Sequence, residues 1–453
     1  MISYKERARG VVDFLLRTHS APTFLASTNV QQGTAHGSVM IKDLGDSMPF
    51  LYWAGQHLND SYMQTADTTS KHLLTTYQRP SGFFKTASSF PFSTLNNFDA
   101  MTDLSLGINL MYTLTHDPFY LASSRKFFDA FSSFMQRTNY FMPTHSLGNH
   151  RLPLSFSTGK LGLYIEELNN LYSWTHEERY LRTAQRLSTF WIEQPFFKKH
   201  GLFPFLFQPT SLKPVGNFIL RNKIGFSVDS AMSSKANSNL VFGLTALYRQ
   251  TKDTTLLQAL EHWHTGVRDH LLHKDGSLFS IWEQQGSAKF LGCDHAVIDC
   301  FLELYRSTKK KDYLQDALLA ANFWLQRQDA SGLIPQGVPG NQVCVDRAMP
   351  QGDKPNYYRL DPQTDFFVVL LKLYQITENK LYLDRALKLL SALTTHHFSG
   401  KSFVNVLDDH KRPQSPLIET KFLFLILKAL LVDVYKKKNI YKDPALWLLL
   451  RDR

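Results

Sequence analysis

The hydrophobic and polar positions of this chain fall into pairs of helical patterns joined by short polar turns. Such turns stand at Thr115–Tyr120 (Thr-His-Asp-Pro-Phe-Tyr), Thr175–Tyr180, Thr251–Leu256, Thr308–Tyr313 and Thr377–Tyr382, with an earlier copy at Leu58–Tyr62. The Tyr or Leu at the end of each turn starts the buried stripe of the second helix. The first helix of a pair is apolar on most faces, as in Phe366–Ile376 or Leu240–Leu247. The second has a single apolar stripe, as in Tyr382, Ala386, Leu389, Leu390 and Leu393, with Lys380, Asp384, Arg385 and Lys388 elsewhere. A helix apolar all round is buried all round, and an amphipathic one covers it. The pattern therefore predicts an inner and an outer ring of helices.

The spacing predicts a helix near 4–18, then pairs at 42–57/60–78, 97–114/117–138, 159–174/177–195, 228–250/253–272, 292–307/310–328 and 361–376/379–396, and a last helix near 415–436. The first and last can pair with each other. The fold expected is all-α: a single (α/α)7 toroidal barrel over 1–436, with an (α/α)6 barrel as the alternative. Residues 437–453 read as a C-terminal appendage whose Trp447–Leu450 docks on the barrel. The repeat is irregular, roughly 57 to 76 residues, longer than common solenoid units. Turns within pairs are short, whereas links between pairs run to roughly 15–35 residues, beyond the usual length of structureless loops. All the long links lie where the inner helices begin, which marks that end as the working face.

Composition changes this picture little. The formal charge is +11, and the runs Lys309–Lys311 and Lys436–Lys438 read as solvated faces rather than nucleic-acid patches. Neither a zinc-finger nor a phosphate-loop motif accompanies them. Cys293 and Cys300, seven apart on one predicted helix, are separated by about 10 Å of rise, too far for a disulfide within it. The first residues show no signal-peptide pattern, and Phe422–Val432 is interrupted by Lys428 and too short to span a bilayer. Sparse cysteines and this start set the expectation of a cytoplasmic protein, or one exported without a classical signal peptide.

Carboxylates gather at the predicted starts of the inner helices: Asp43 and Asp46, Asp99 and Asp103, Glu166 and Glu167, Asp229, Asp294 beside His295, Asp361 and Asp365 around Gln363, and Glu419. Asp361 reads as an N-cap followed by Pro362 at the first helical position. Gln363 is then a neutral amide where the helix terminus favours an anion. Glu167 and Glu419 sit within apolar runs, where a carboxylate is costly unless paired or functional. His116 and His176 fall on the short-turn end, away from this mouth. A mouth ringed by carboxylates, with Tyr357, Tyr358, Phe203 and Phe207 in its loops, suits a glycan or glycoprotein partner. Sugars offer hydroxyls to carboxylates and apolar faces to rings. Hydrolysis of a glycosidic bond needs one protonated carboxyl and a second carboxylate.

Taken in order, the segments resemble glycoside hydrolase family 47, the inverting, calcium-dependent α-mannosidases. Asp43-Leu-Gly-Asp46-Ser resembles that family's Asp-x-Leu-Asp-Thr, and Ile165–Leu171 its Leu-Glu-Phe helix. Gly201–Pro204 with Gly225–Ser230 resembles Gly-Leu-x-Pro followed by Gly-x-x-x-Asp-Ser. Tyr358–Thr364 resembles Leu-Arg-Pro-Glu-Thr, and Ile418–Leu425 resembles Ala-Glu-Thr-Leu-Lys-Tyr-Leu-Tyr-Leu. The resemblance spans about residues 40–430.

It implies an (α/α)7 barrel that hydrolyses an α-mannosidic or related bond. Glu167 is implied as the acid and Asp229 as the second catalytic carboxylate. Gln363 stands where the family has a glutamate, with Asp361 or Asp365 as substitutes. Asp46, Asp99, Tyr358 and Glu419 are the candidates for holding substrate, and Glu419 is also the candidate calcium ligand. The family's arginine is Asp361 here, the glutamate after Asp-Ser-x-x is Ser233, and the C-terminal calcium-holding threonine motif has no counterpart. Two alternatives follow from these departures: a barrel that binds glycan without cleaving it, and a sugar epimerase or lyase on the same fold.

Overall fold

The computed structural model describes residues 3–85, 95–140, 145–147, 150–151, 156–157, 160–203, 206–207, 234–279, 289–338 and 356–451. Helix α1 (Tyr4–Thr18) opens with a capping box, in which the Ser3 hydroxyl accepts from the Glu6 N–H and the Glu6 carboxylate accepts from the Ser3 N–H. There follow α2 (Leu44–Leu58) and α3 (Asp60–Tyr77), α4 (Phe98–Thr115) and α5 (Pro118–Arg137), then α6 (Leu161–Thr175) and α7 (Glu178–Ile192). After the short α8 (Pro195–His200) come α9 (Ser234–Thr251) and α10 (Thr254–His270), and α11 (Leu291–Thr308) and α12 (Lys311–Leu325). Next are α13 (Leu360–Thr377) and α14 (Lys380–Ala392), which ends in a π turn (Leu393–His397).

Among the described residues, α2, α4, α6, α9, α11 and α13 pack in succession. The circuit closes through α15 (Thr420–Leu425) and α16 (Leu427–Leu430), which return to α2. Outside lie α3, α5, α7, α10, α12 and α14, each against the helix it follows, and α1 against α16. The chain is thus an all-α toroidal barrel. The apolar-all-round segments form its inner wall: Phe366–Leu373 of α13 is buried without interruption. At one crossing the inner helices touch backbone to backbone. A Cβ on Gly162 would lie 1.8 Å from the Asn239 carbonyl oxygen, and one on Gly243 would lie 2.1 Å from that of Gly162. None of the helices among the described residues is long and apolar enough to cross a membrane.

The repeated turn has a common physical basis. The residue after each threonine (His116, His176, Lys252, Lys309 and Glu378) is left-handed and ends an inner helix. The threonine hydroxyl donates to the carbonyl four residues back, as Thr377 does to Leu373 at 2.7 Å, and accepts the N–H two residues on, as from Asn379 at 3.3 Å. Threonine thus satisfies a carbonyl of one helix and an amide of the next in a single corner.

The last segment departs from the expected single helix over 415–436. Residues Leu417–Glu419 form a strand, β3, in an antiparallel sheet with β1 (Leu25–Asn29) and β2 (Thr34–Val39), in the order β3-β1-β2. Ser27 stands opposite Glu419. Ile418 points into the core at 2% exposure, while Leu417 faces out at 49%. That alternation is a strand's, too short to register against the helical period that follows. After Glu419 the helix is broken into α15, α16 and α17 (Val432–Lys437). The Tyr435 hydroxyl donates to the Lys428 carbonyl at 2.6 Å, taking an acceptor that a continuous helix would use.

A buried relay ties this sheet to the barrel. The Leu25 N–H donates to His19 Nδ1 at 3.1 Å, so Nε2 carries the proton toward the Thr28 hydroxyl, 2.9 Å away, and Thr28 in turn meets the Thr420 hydroxyl at 2.9 Å. Burial lowers His19 to about 4.

The C-terminal segment closes the other end of the barrel. Helix α18 (Pro444–Leu449) buries Leu446, Trp447 and Leu449. The Lys372 ammonium lies 4.3 Å from the centre of the Trp447 ring, and the Arg306 guanidinium 5.0 Å. Beyond α18, Arg451 is buried and ion-paired with Glu166. Around this floor stand further ion pairs with buried carboxylates, Asp299 with the buried Lys372 and Glu303 with the half-buried Arg249.

Candidate active site

At the opposite end, the first turns of α2, α4, α6 and α13 and the β3–α15 junction bring together side chains of both signs. Gly45 sets the approach of two of these helices. A Cβ there would lie 1.4 Å from the Asp103 carbonyl oxygen, so only glycine lets the first turn of α2 rest on α4. Lys42 Nζ is then 3.9 Å from Asp103 Oδ2, and Lys160 ion-pairs with Asp103 Oδ1. Burial works against charge on Asp103, but Lys160, Lys42 and Lys421 outweigh it and hold the carboxyl below the usual carboxylate range.

Lys421, in the first turn of α15, stands between two further carboxylates, 3.4 Å from Asp43 Oδ1 and 3.6 Å from Glu419 Oε2. Arg359 grips Asp361 with both arms of its guanidinium, Nε to Oδ1 at 3.1 Å and Nη2 to Oδ2 at 3.2 Å. Glu419 is placed by its strand pairing with Ser27 and not by a helix, and its side chain remains 42% exposed. Its carboxyl is pushed above the usual range, first by burial and then by Asp43 and Asp361, against the opposing pull of Lys421 and Arg359. A carboxyl raised in this way beside a carboxylate paired with a cation is the pattern of an acid with its complementary base.

The sequence-predicted residues divide on this geometry. Glu419 and Asp361 lie at the mouth. Asp361 is not the N-cap: the helix starts at Leu360 with Arg359 in the capping position, and the Asp361 carboxylate is taken by the guanidinium instead. Asp365, one turn deeper, is ion-paired with Lys428 of α16, with His295 Nε2 3.7 Å away. Tyr358 is buried, its hydroxyl donating to Asp329 Oδ2 at 2.9 Å. Asp229 lies outside the described residues, as do the side chains of Asp46 and Asp99.

Gln363 turns away from the mouth. Its Oε1 accepts from the Ile334 N–H at 2.9 Å, and its Nε2 donates to the Arg359 carbonyl at 2.8 Å and faces His397 Nε2 at 3.4 Å. His397 Nδ1 in turn donates to the Val404 carbonyl at 2.9 Å. The puzzling amide is a junction that ties the segment after α12 to the start of α13 and the 397–404 turn. It needs a donor and an acceptor on one side chain, which glutamine has and a carboxylate lacks.

Glu167 is fully buried in the wall between α4 and α6, accepting from Asn109 Nδ2, whose own Oδ1 accepts from Ser124 of α5 at 2.6 Å. Its neighbour Glu166 is the one turned inward. Tyr164 stacks on Phe131 of α5 at 4.5 Å, and two residues further on the side chain falls on the opposite side of α6. There Glu166 meets Arg451.

Burial also lowers His397 to about 4, as it does His19. Both depressions lie below the unfolded value, 6.5, so the unfolded chain takes up protons first. Their stabilising contribution is whole above about pH 6.5 and is lost as the pH falls toward 4. Denaturant unfolding across that window is expected to show a continuous loss of stability; a flat profile would contradict the neutral tautomers assigned here.

The described residues of the mouth do not suit calcium. Such an ion takes roughly six to eight oxygens. Among the described residues no three His, Cys, Asp or Glu side chains are grouped to hold a metal, and beside Glu419 the nearest cation is the Lys421 ammonium. The cations Arg359, Lys421, Lys160, Lys42 and Lys428 are the site residues that reading for carboxylates passes over. Arg359 and Lys421 lie inside the very motifs that point to Asp361 and Glu419.

No family model and no curated protein matches the sequence. Solved structures do match. An alpha-1,2-mannosidase from Trichoderma reesei superposes with a TM-score of 0.67 at 13% identity, over 95% of this chain and 92% of that one. A cellobiose 2-epimerase from Bacillus thermoamylovorans B4167 gives 0.57 at 11% identity, over 95% and 99%. An unsaturated glucuronyl hydrolase from Bacillus sp. GL1 gives 0.51 at 12%, over 86% and 96%. At such identities the likeness is one of fold, and it is the all-α barrel that this chain shares with these proteins.

Proposed function

We propose that the protein is a carbohydrate-active enzyme working at this mouth, a glycoside hydrolase acting on an α-mannosidic or related bond. In this reading Glu419 gives its proton to the leaving oxygen, and Asp361, or Asp229 from outside the described residues, serves as the second carboxylate. The observation that carries the reading is Glu419 itself: partly exposed at the mouth, raised toward its protonated form, and flanked by Asp43 and Asp361. Support for a sugar substrate comes from the shared fold with a mannosidase, a glucuronyl hydrolase and an epimerase.

The test is turnover of α-mannosides and manno-oligosaccharides by the Glu419→Gln variant. The amide cannot donate a proton to the leaving oxygen as a carboxyl does, so kcat is expected to fall about a hundredfold, with KM little changed. Unchanged turnover would remove Glu419 from the mechanism. Wild-type activity should fall as the pH rises through the raised Glu419 ionisation, because only the protonated acid works. A second reading, sugar epimerisation, is favoured by the cellobiose 2-epimerase among the structures that share this fold. NMR of the products separates the two, since epimerisation leaves the glycosidic bond intact.

A further inference from the structure

We infer that Lys421 is a built-in cation at the mouth, standing where a divalent ion would otherwise balance Asp43 and Glu419, and that it makes this site independent of metal. The two carboxylates come from distant parts of the chain, one from the residue before α2 and the other from the end of β3. The packing of α15 on α2 and the pairing of β3 with β1 bring them together. Both carboxylates converge on a single ammonium, and without that charge they would repel each other.

Lys421 Nζ is 3.4 Å from one carboxylate and 3.6 Å from the other, longer than a direct hydrogen bond and nearly equidistant. That is the position of one charge shared between two ion pairs. The side chain is 20% exposed, so solvent screens the charge only in part. A compact ammonium on a flexible stem suits this role better than a planar guanidinium. The inference stands on the geometry of the mouth and holds whatever sugar, if any, is turned over there.

The test is thermal unfolding and calcium-binding calorimetry of the full chain, with calcium or with EDTA at matched ionic strength. The wild type is expected to melt at the same temperature in both and to give no heat of binding. Lys421→Met should melt lower in EDTA and recover in calcium, with binding now measurable, the ion keeping waters in its remaining positions. Lys421→Arg should retain the charge and stay indifferent to calcium. Calcium binding to the wild type would overturn the inference, and so would a Lys421→Met variant that responds to calcium no differently from wild type. If Lys421→Met fails to fold in either condition, the double variant with Glu419→Gln decides. It should fold without binding calcium, because the repulsion is gone; its failure to fold would assign Lys421 to packing and overturn the inference.

Discussion

Replacing Lys372 with methionine is expected to cost about 3–5 kcal/mol of stability, one of the largest single-residue effects in the molecule. The Lys372 ammonium is fully buried and donates to both oxygens of Asp299, at 2.7 and 2.9 Å. Methionine fills most of the same volume but leaves the Asp299 carboxylate buried without its ammonium. It also removes the cation from the face of Trp447, so the effect should reach the docking of α18. A double variant, Asp299→Leu with Lys372→Met, should recover most of the loss, because the cost comes from stranding a charge and not from losing the pair as such. Urea unfolding of the two single variants and the double variant measures this. A double variant as unstable as Lys372→Met alone would show that the pair holds the floor by shape and not by charge.

The second large effect is expected at Gln363. Gln363→Glu should lose about 2–4 kcal/mol at neutral pH. One oxygen of the new carboxylate can still accept the Ile334 N–H, but the other meets two acceptors, the Arg359 carbonyl and the lone pair of neutral His397 Nε2. Both donors of the amide are gone. Acid should narrow the gap. The new negative charge favours protonation of His397, while the wild type loses His397's contribution in the same range. Urea unfolding at neutral and mildly acid pH tests both parts. A gain of glycosidase turnover without loss of stability would instead put position 363 at the reaction centre, where the motif resemblance alone would place it.

The contrast between Gln363 and Glu419 shows how much of the site could be read in the chain. Both stand in recognisable motifs, and both follow or begin an apolar helical run. Which of them faces the mouth depends on side-chain direction. At Gln363 that direction is set by an N–H from Ile334, 29 residues away. At Glu419 it is set by pairing with Ser27, nearly four hundred residues away. The choice between Glu166 and Glu167 is of the same kind. Adjacent residues on a helix point about 100° apart, and only the positions of α5 and Arg451 decide which points inward. The cations of the mouth escaped notice because a lone lysine or arginine in a sequence reads as solvated surface. Burial beside a carboxylate is a property of the assembled barrel.

The sequence by itself determined the paired helices and, apart from the predicted start at 228, which lies outside the described residues, their boundaries to within a few residues. It also determined the division into inner and outer elements and the end where the long links lie. These follow from periodicity, capping and turn chemistry, which act between residues a few positions apart. Tertiary structure alone decided the rest. The strand at Leu417–Glu419 exists because β1 is there to pair with it. Gly45 and Gly162 matter because another helix's backbone lies against them. Arg451 matters because the last turn of the chain reaches the inward face of α6. Lys421 lies between Asp43 and Glu419 because the ring closes. Each of these depends on contacts between segments far apart in the chain, whose strength is set by distance and burial, and neither quantity is carried by the order of residues.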